Sequence, residues 1–213
     1  MNKTSADISK QTLDDATLVE RILDGQTHLF RLVAERYAER MMRMVRRLVP
    51  SREDAEEVTQ DALVESFRSL ARFDRQQASL QTWLMRIAYH MALKHYRQSL
   101  KSVPLADIGQ EWLEKQSSTL VNISDDEADA LLSDTSTDRI AQLERAIDLL
   151  KPDDRMLLGF YYYDGCSVKE IQEITGRDGG YLRSRLQWIR KKLAKEIRTP
   201  LPPSGGINTQ NDN

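Results

Sequence analysis

Apolar residues along this chain return every three or four positions, the period that gives a helix one buried face. Leu18, Val19, Ile22 and Leu23 mark a short helix ending at Asp24-Gly25, where glycine suits the carboxyl cap. Leu29, Phe30, Val33, Tyr37, Met41, Met44, Val45 and Leu48 predict a longer helix from Thr27 to Val49, stopped by Pro50. Ser51 can cap a third helix, whose buried side is Val58, Ala62, Phe67 and Leu70. After a polar loop from Arg72 to Ser79, Leu80, Leu84, Ile87, Ala88 and Met91 define a fourth, reaching about Arg97. The period then fades. It returns with Ile140, Leu143, Ala146, Ile147 and Leu150, followed by a helix started by Pro152 and containing Met156, Leu157, Phe160 and Tyr161.

The last patterned stretch, Ser167 to Leu193, has two parts. Val168, Ile171 and Ile174 form a short apolar stripe, which Gly176-Arg177-Asp178-Gly179-Gly180 interrupts. Leu182, Leu186, Ile189 and Leu193 form the next, while Tyr181, Ser184, Gln187, Trp188 and Lys191 project the other way. Two helices around a glycine-bearing turn are the helix-turn-helix pattern, in which the second helix enters the major groove. Arg183, Arg185, Arg190, Lys191, Lys192, Lys195 and Arg198 give it the charge that phosphates attract. A solvated basic face is the plainer account of that charge; the preceding helix and turn favour DNA. On that reading Tyr181, Ser184 and Gln187 meet base edges, and Arg183, Arg185 and Lys191 meet phosphates.

Two further helix faces are candidates. Glu53, Asp54, Glu56 and Glu57 suit the positive end of the third helix, but Asp61 and Glu65 carry the acidity past its first turn, which points to a basic partner or to simple solvation. On the fourth helix Trp83, Arg86, His90, Lys94 and Arg97 align aromatic and basic groups, an arrangement suited to single-stranded nucleic acid. The alternative is that Trp83 is core and the bases are surface.

Composition changes the picture in one respect. The net charge of -2 over 213 residues argues against nucleic-acid binding only if charge is evenly spread. It is not: Asp107 to Asp138 holds nine acidic residues against Lys115 alone. The chain therefore divides into an arm at 1–13, a helical domain at 14–98, an acidic, flexible linker at 99–138 with a helical turn near Trp112, a second helical domain at 139–197 and a disordered tail at 198–213. The fold class is all-α. One cysteine, Cys166, excludes an internal disulfide framework and reads as a packed side chain rather than a redox thiol. The absence of a signal-like or spanning apolar run favours a cytoplasmic protein without membrane insertion. His28, His90 and His95 make no metal-ligand spacing with Cys166, and no glycine-rich phosphate loop is present. No catalytic residue, metal, cofactor or small-molecule substrate is expected.

In order, SREDAEEVTQDALVESF, RFD with its polar loop, LQTWLMRIAYHMALKHYR, and the block from LERAIDLL to LQWIRKKL resemble a bacterial RNA polymerase sigma factor of the extracytoplasmic-function group, over about Asp14 to Ile197. The resemblance implies a region 2 bundle and a region 4 helix-turn-helix bundle. It implies that Asp54, Glu57, Gln60 and Asp61 bind the clamp helices of core polymerase. Phe73 and Arg75 would lie in the loop that captures a flipped base of the minus-10 element, with Trp83, Arg86, His90, Lys94 and Arg97 along the melted strand. Tyr181, Arg183, Ser184, Arg185, Gln187, Trp188 and Lys191 would meet the minus-35 element, and region 4 would also dock on the polymerase flap. The linker would thread the RNA-exit path, and an anti-sigma factor is an expected partner by family habit. Three residues depart from the family: His90 where asparagine is common, Gln172 where alanine is usual, and Trp188 where arginine is common.

The resulting expectation is a dissociable promoter-specificity subunit that recognises minus-35 and minus-10 elements and promotes DNA opening. The alternatives are a non-initiating decoy that binds an anti-sigma factor, which the three departures favour, and a helix-turn-helix repressor with a helical sensor, which leaves the acidic third helix and the linker without a purpose.

Overall fold

The computed structural model describes residues 13–99, 124–133 and 136–198. The expected arm, the turn near Trp112 and the tail beyond 198 lie outside them. Every regular element among the described residues is helical: α1 (Asp15–Leu23), α2 (Phe30–Val45), α3 (Arg52–Ser69), α4 (Leu80–Ser99), α5 (Asp125–Leu132), α6 (Thr137–Asp148), α7 (Pro152–Leu158), α8 (Val168–Thr175) and α9 (Gly179–Arg198). They fall in two compact units, one from residues within 1–106 and 152–183, the other from residues within 107–151 and 184–213.

In the first unit α2, α3 and α4 pack on one another, and α8 packs on α4. Leu18, Val33, Met41, Met44, Leu70 and Leu84 are among its fully buried side chains. Helix starts follow side-chain chemistry. The Asp14 carboxylate accepts from the Thr17 amide at 2.9 Å, and the Ser51 hydroxyl accepts from the Asp54 amide at 3.2 Å. Gly25, at φ +97°, takes the left-handed conformation after α1.

A buried carboxylate ties the α7–α8 connection to α2 and the turn after it. Asp164 is 2.5 Å from the Arg47 guanidinium and 3.9 Å from Arg40 Nε, and Arg40 also donates to the Asp164 carbonyl. Arg47 passes directly beneath Gly159, so a Cβ there would collide with the guanidinium. A larger residue at this position would have to push the guanidinium away from its Asp164 contact.

The second unit is built from α5, α6 and the greater part of α9. Ala128 of α5 packs on Ala194 of α9 with Leu131 beside them, and Arg139 of α6 donates to the Ile197 carbonyl.

The structure amends several expectations. The second helix is shorter than Thr27 to Val49, because a 3-10 turn at Thr27–Leu29 precedes it and turns follow Val45. Part of the expected linker is helical: Ser124 caps α5 by accepting from the Glu127 amide at 3.2 Å. Phe67 is exposed at the rim of its unit, where it meets Phe30 edge-on at 5.1 Å. Ile140, in the first turn of α6, is also exposed. Tyr161 faces outward with Tyr162 and Tyr163, because α7 runs into a π-helical turn at Gly159–Tyr163 whose extra residue shifts the register.

Candidate nucleic-acid interface

Three helix faces and the loop before α4 hold the predicted site residues. On α3, burial of Ala55, Val58, Thr59, Ala62 and Ser66 turns the acids outward. Thr59 and Ser66 return their hydroxyls to the carbonyls one turn back, at 2.7 and 2.6 Å, so neither enters the core unsatisfied. Glu57, Gln60 and Asp61 are exposed and Asp54 is half-buried beside its cap. Glu53, Glu56 and Glu65 extend the same acidic surface.

The loop before α4 is organised by Asp74. Its carboxylate accepts from the Gln76 amide at 2.8 Å and from Gln77 Nε2 at 2.9 Å, while its carbonyl accepts from the Gln77 and Ala78 amides. Ser79 closes the loop, accepting from the Thr82 amide at 3.1 Å. Half-buried Phe73 and Trp83 meet at 5.5 Å with planes tilted by 55°. Arg75 is exposed and lies 3.7 Å from Glu20. From Trp83 the exposed groups Arg86, His90, Lys94 and Arg97 continue along α4, opposite buried Leu80, Leu84, Met85 and Ala88. Partial burial, reinforced by the Arg86 and Arg97 cations, holds the His90 imidazole below its ordinary pKa. Trp83 is neither plain core nor plain surface: one side packs and the other is open.

The helix-turn-helix is stiffly capped. Ser167 and Glu170 form a reciprocal capping box, with the Ser167 hydroxyl accepting from the Glu170 amide at 3.2 Å and the Glu170 carboxylate accepting from the Ser167 amide at 2.8 Å. Gly176, at φ +72°, ends α8. Asp178 starts α9 by accepting from the Gly180 and Tyr181 amides at 2.8 and 3.0 Å, which lowers its pKa. Sequence reasoning passed over both caps, although Ser-x-x-Glu before an apolar pair is a legible signal. The Gln172 side chain is exposed, with Oε1 near Gly179 across the turn. The Cys166 thiol is buried and its pKa is pushed up to about 11, chiefly by burial and then by Glu170 and Asp164.

Along α9, Leu182, Leu186, Ile189 and Leu193 are buried as expected. Arg183, Ser184 and Gln187 are exposed, and Tyr181, Trp188 and Lys191 are half-buried. Arg185 is buried in this conformation, with its guanidinium 3.8 Å over the Trp188 ring; Lys192 stands 5.3 Å from the same ring. Trp188 therefore stands between two cations. Gln187 and Lys191 also contact α5: Gln187 Nε2 donates to Asp125 at 2.9 and 3.1 Å, and Lys191 Nζ is 3.3 Å from it. Among the described residues no helix is long and apolar enough to cross a membrane.

Described residues that form helices throughout, with an acidic helix face, an aromatic and basic helix face and a capped helix-turn-helix, have the build of a sigma-type transcription protein. Known proteins agree. The family model of sigma-70 region 2 matches residues 33–101, and that of sigma-70 region 4 matches residues 140–193. The chain is 30% identical over 190 residues to the ECF RNA polymerase sigma-E factor of Escherichia coli, covering 88% of this chain and 96% of that protein. It is 28% identical over 186 residues to the RNA polymerase sigma-H factor of Pseudomonas aeruginosa, covering 86% and 94%. Its fold is similar to CnrH solved in complex with the cytosolic domain of CnrY, with TM-score 0.56, 18% identity and coverage of 84% and 93%. It is also similar to the sigma factor RpoE solved in complex with the anti-sigma factor NepR from Bartonella quintana, with TM-score 0.55, 17% identity and coverage of 79% and 96%. The chain belongs to the extracytoplasmic-function sigma factors of the sigma-70 family.

Proposed function

We propose that this sigma factor is a dissociable promoter-specificity subunit. The observation that carries the reading is the presence, on one chain, of three outward faces with the chemistry of three different partners. The acidic face of α3, with Asp54, Glu57, Gln60 and Asp61, suits a basic surface of core polymerase. Phe73 and Trp83 with Arg75, Arg86, His90, Lys94 and Arg97 suit a melted minus-10 strand, in which bases stack on rings and phosphates meet cations. Unstacking each base costs a few kcal/mol, which those contacts offset. Tyr181, Ser184 and Gln187 then read the minus-35 major groove, and Arg183, Arg185, Trp188 and Lys191 position the helix on the backbone. Arg185 reaches phosphate only if it leaves the Trp188 face and its buried position.

The protein makes and breaks no bond in this role. An anti-sigma factor is its regulatory partner, in line with the complex with the anti-sigma factor NepR in which one structurally similar protein was solved. The site of action is the cytoplasm.

Run-off transcription on pooled genomic promoter fragments, with core polymerase alone and with the protein added, tests the proposal. New start sites sharing an upstream two-part motif support it. Binding to core polymerase or an anti-sigma factor without new transcripts would move the assignment to a non-initiating decoy.

A further inference from the structure

We infer that α5 is an acidic lid on the reading face of α9, occupying with its carboxylates the groups that minus-35 DNA would otherwise engage. The inference rests on the proposed reading of α9 and adds its regulation. Asp125 and Asp129 are four residues apart and share one side of α5. Gln187, Arg190, Lys191 and Ala194 share one side of α9. The two sides meet: Asp125 accepts from Gln187 at 2.9 and 3.1 Å and lies 3.3 Å from Lys191, Asp129 pairs with Arg190, and Ala128 packs on Ala194.

Gln187 and Lys191 are thereby spent twice, once on α5 and once on DNA, and cannot serve both. A carboxylate offers a cation and an amide the same chemistry as a phosphate oxygen, so α5 competes for the same contacts. The hold is built to release. The carboxylates remain largely exposed, with side-chain exposures of 53% for Asp125 and 60% for Asp129, and such pairs are weak and salt-screened. The apolar seam is two alanines with one leucine beside them. Helix α5 also lies between the segments that match regions 2 and 4, which end at 101 and begin at 140, so its removal leaves both regions whole.

The test measures binding of the full chain to random-sequence duplex DNA at fixed salt. D125A/D129A should bind several-fold more tightly than the native chain. D126A/D138A, which removes the same charge at exposed acids outside these contacts, should change affinity far less. Equal gains in the two variants would reduce the effect to net charge and overturn the lid. R183A, on α9 but outside the α5 contact, separates the two claims. If R183A weakens binding while D125A/D129A matches the native chain, the DNA reading stands and the lid falls; if no protein binds duplex DNA, both fall. Hydrogen exchange gives an independent readout: amides of Asp125–Leu132 should exchange faster when duplex is added, and unchanged protection in a DNA-bound sample overturns the lid.

Discussion

Two sets of charged contacts in this protein use the same chemistry in opposite surroundings. In the first unit Asp164, with a side chain only 2% exposed, is held by Arg47 and Arg40. In the second, Asp125 and Asp129 meet Gln187, Lys191 and Arg190 at the surface. A buried carboxylate that loses its partners gains no water in their place and is left as an uncompensated charge, so the first set is structural. The second set faces solvent that can replace it, so salt can weaken it. Burial, rather than the residues themselves, separates a fastening from a switch.

That contrast can be broken in four ways. The largest effect is expected from Asp164→Ala, which leaves the Arg47 guanidinium without its carboxylate and should cost about 3–5 kcal/mol in urea denaturation; a loss no larger than that of a surface substitution would remove the distinction. Gly159→Ala should act through the same fastening from its other side, displacing Arg47 and costing about 1–3 kcal/mol. Its effect should be much smaller in an Asp164→Ala background, because a displaced Arg47 then has nothing to lose, and a double-mutant cycle measures this.

The third expectation concerns pH. The Cys166 thiol, beside Asp164, is raised from 9.0 to about 11, so the folded protein retains the proton that the unfolded chain gives up. Stability from this group is present below 9.0 and is lost as pH climbs toward about 11; alkylation at pH 8 should be slow in the native chain and faster in Asp164→Ala. The smallest effect belongs to the exposed set. Adding salt should loosen α5, seen as faster amide exchange over Asp125–Leu132, while leaving the Asp164 contacts and global stability nearly unchanged. Equal salt sensitivity in both units would contradict the comparison.

Much of this was legible before any coordinates. Ser51 and Gly25 announced their caps, and Leu182, Leu186, Ile189 and Leu193 announced the buried stripe of α9, because caps and periodicity are local properties of the chain. The motif order of α3, α4 and the helix-turn-helix was enough to suggest the family. Less legible was the fate of the outward faces. The pattern that places Arg86 and His90 on the exposed side of α4 is the same pattern that places Gln187 and Lys191 on α9, yet the latter are met by α5. The α5 segment read as linker because eight residues rich in aspartate carry little apolar period, and its helicity depends on the Ser124 cap and the Ala128 contact.

The sequence by itself determined the glycine stop of α1, the Ser51 cap of α3, the buried stripe of α9 and the motif order that marks the family, since each follows from residue spacing and short-range capping. Tertiary structure alone decided that Gly159 lies against the Arg47 guanidinium, that Arg185 is buried against Trp188, and that Asp125 and Asp129 meet Gln187, Lys191 and Arg190 of α9. These contacts join residues brought together only by packing, and the burial that sets the strength of a charge is a property of the folded chain.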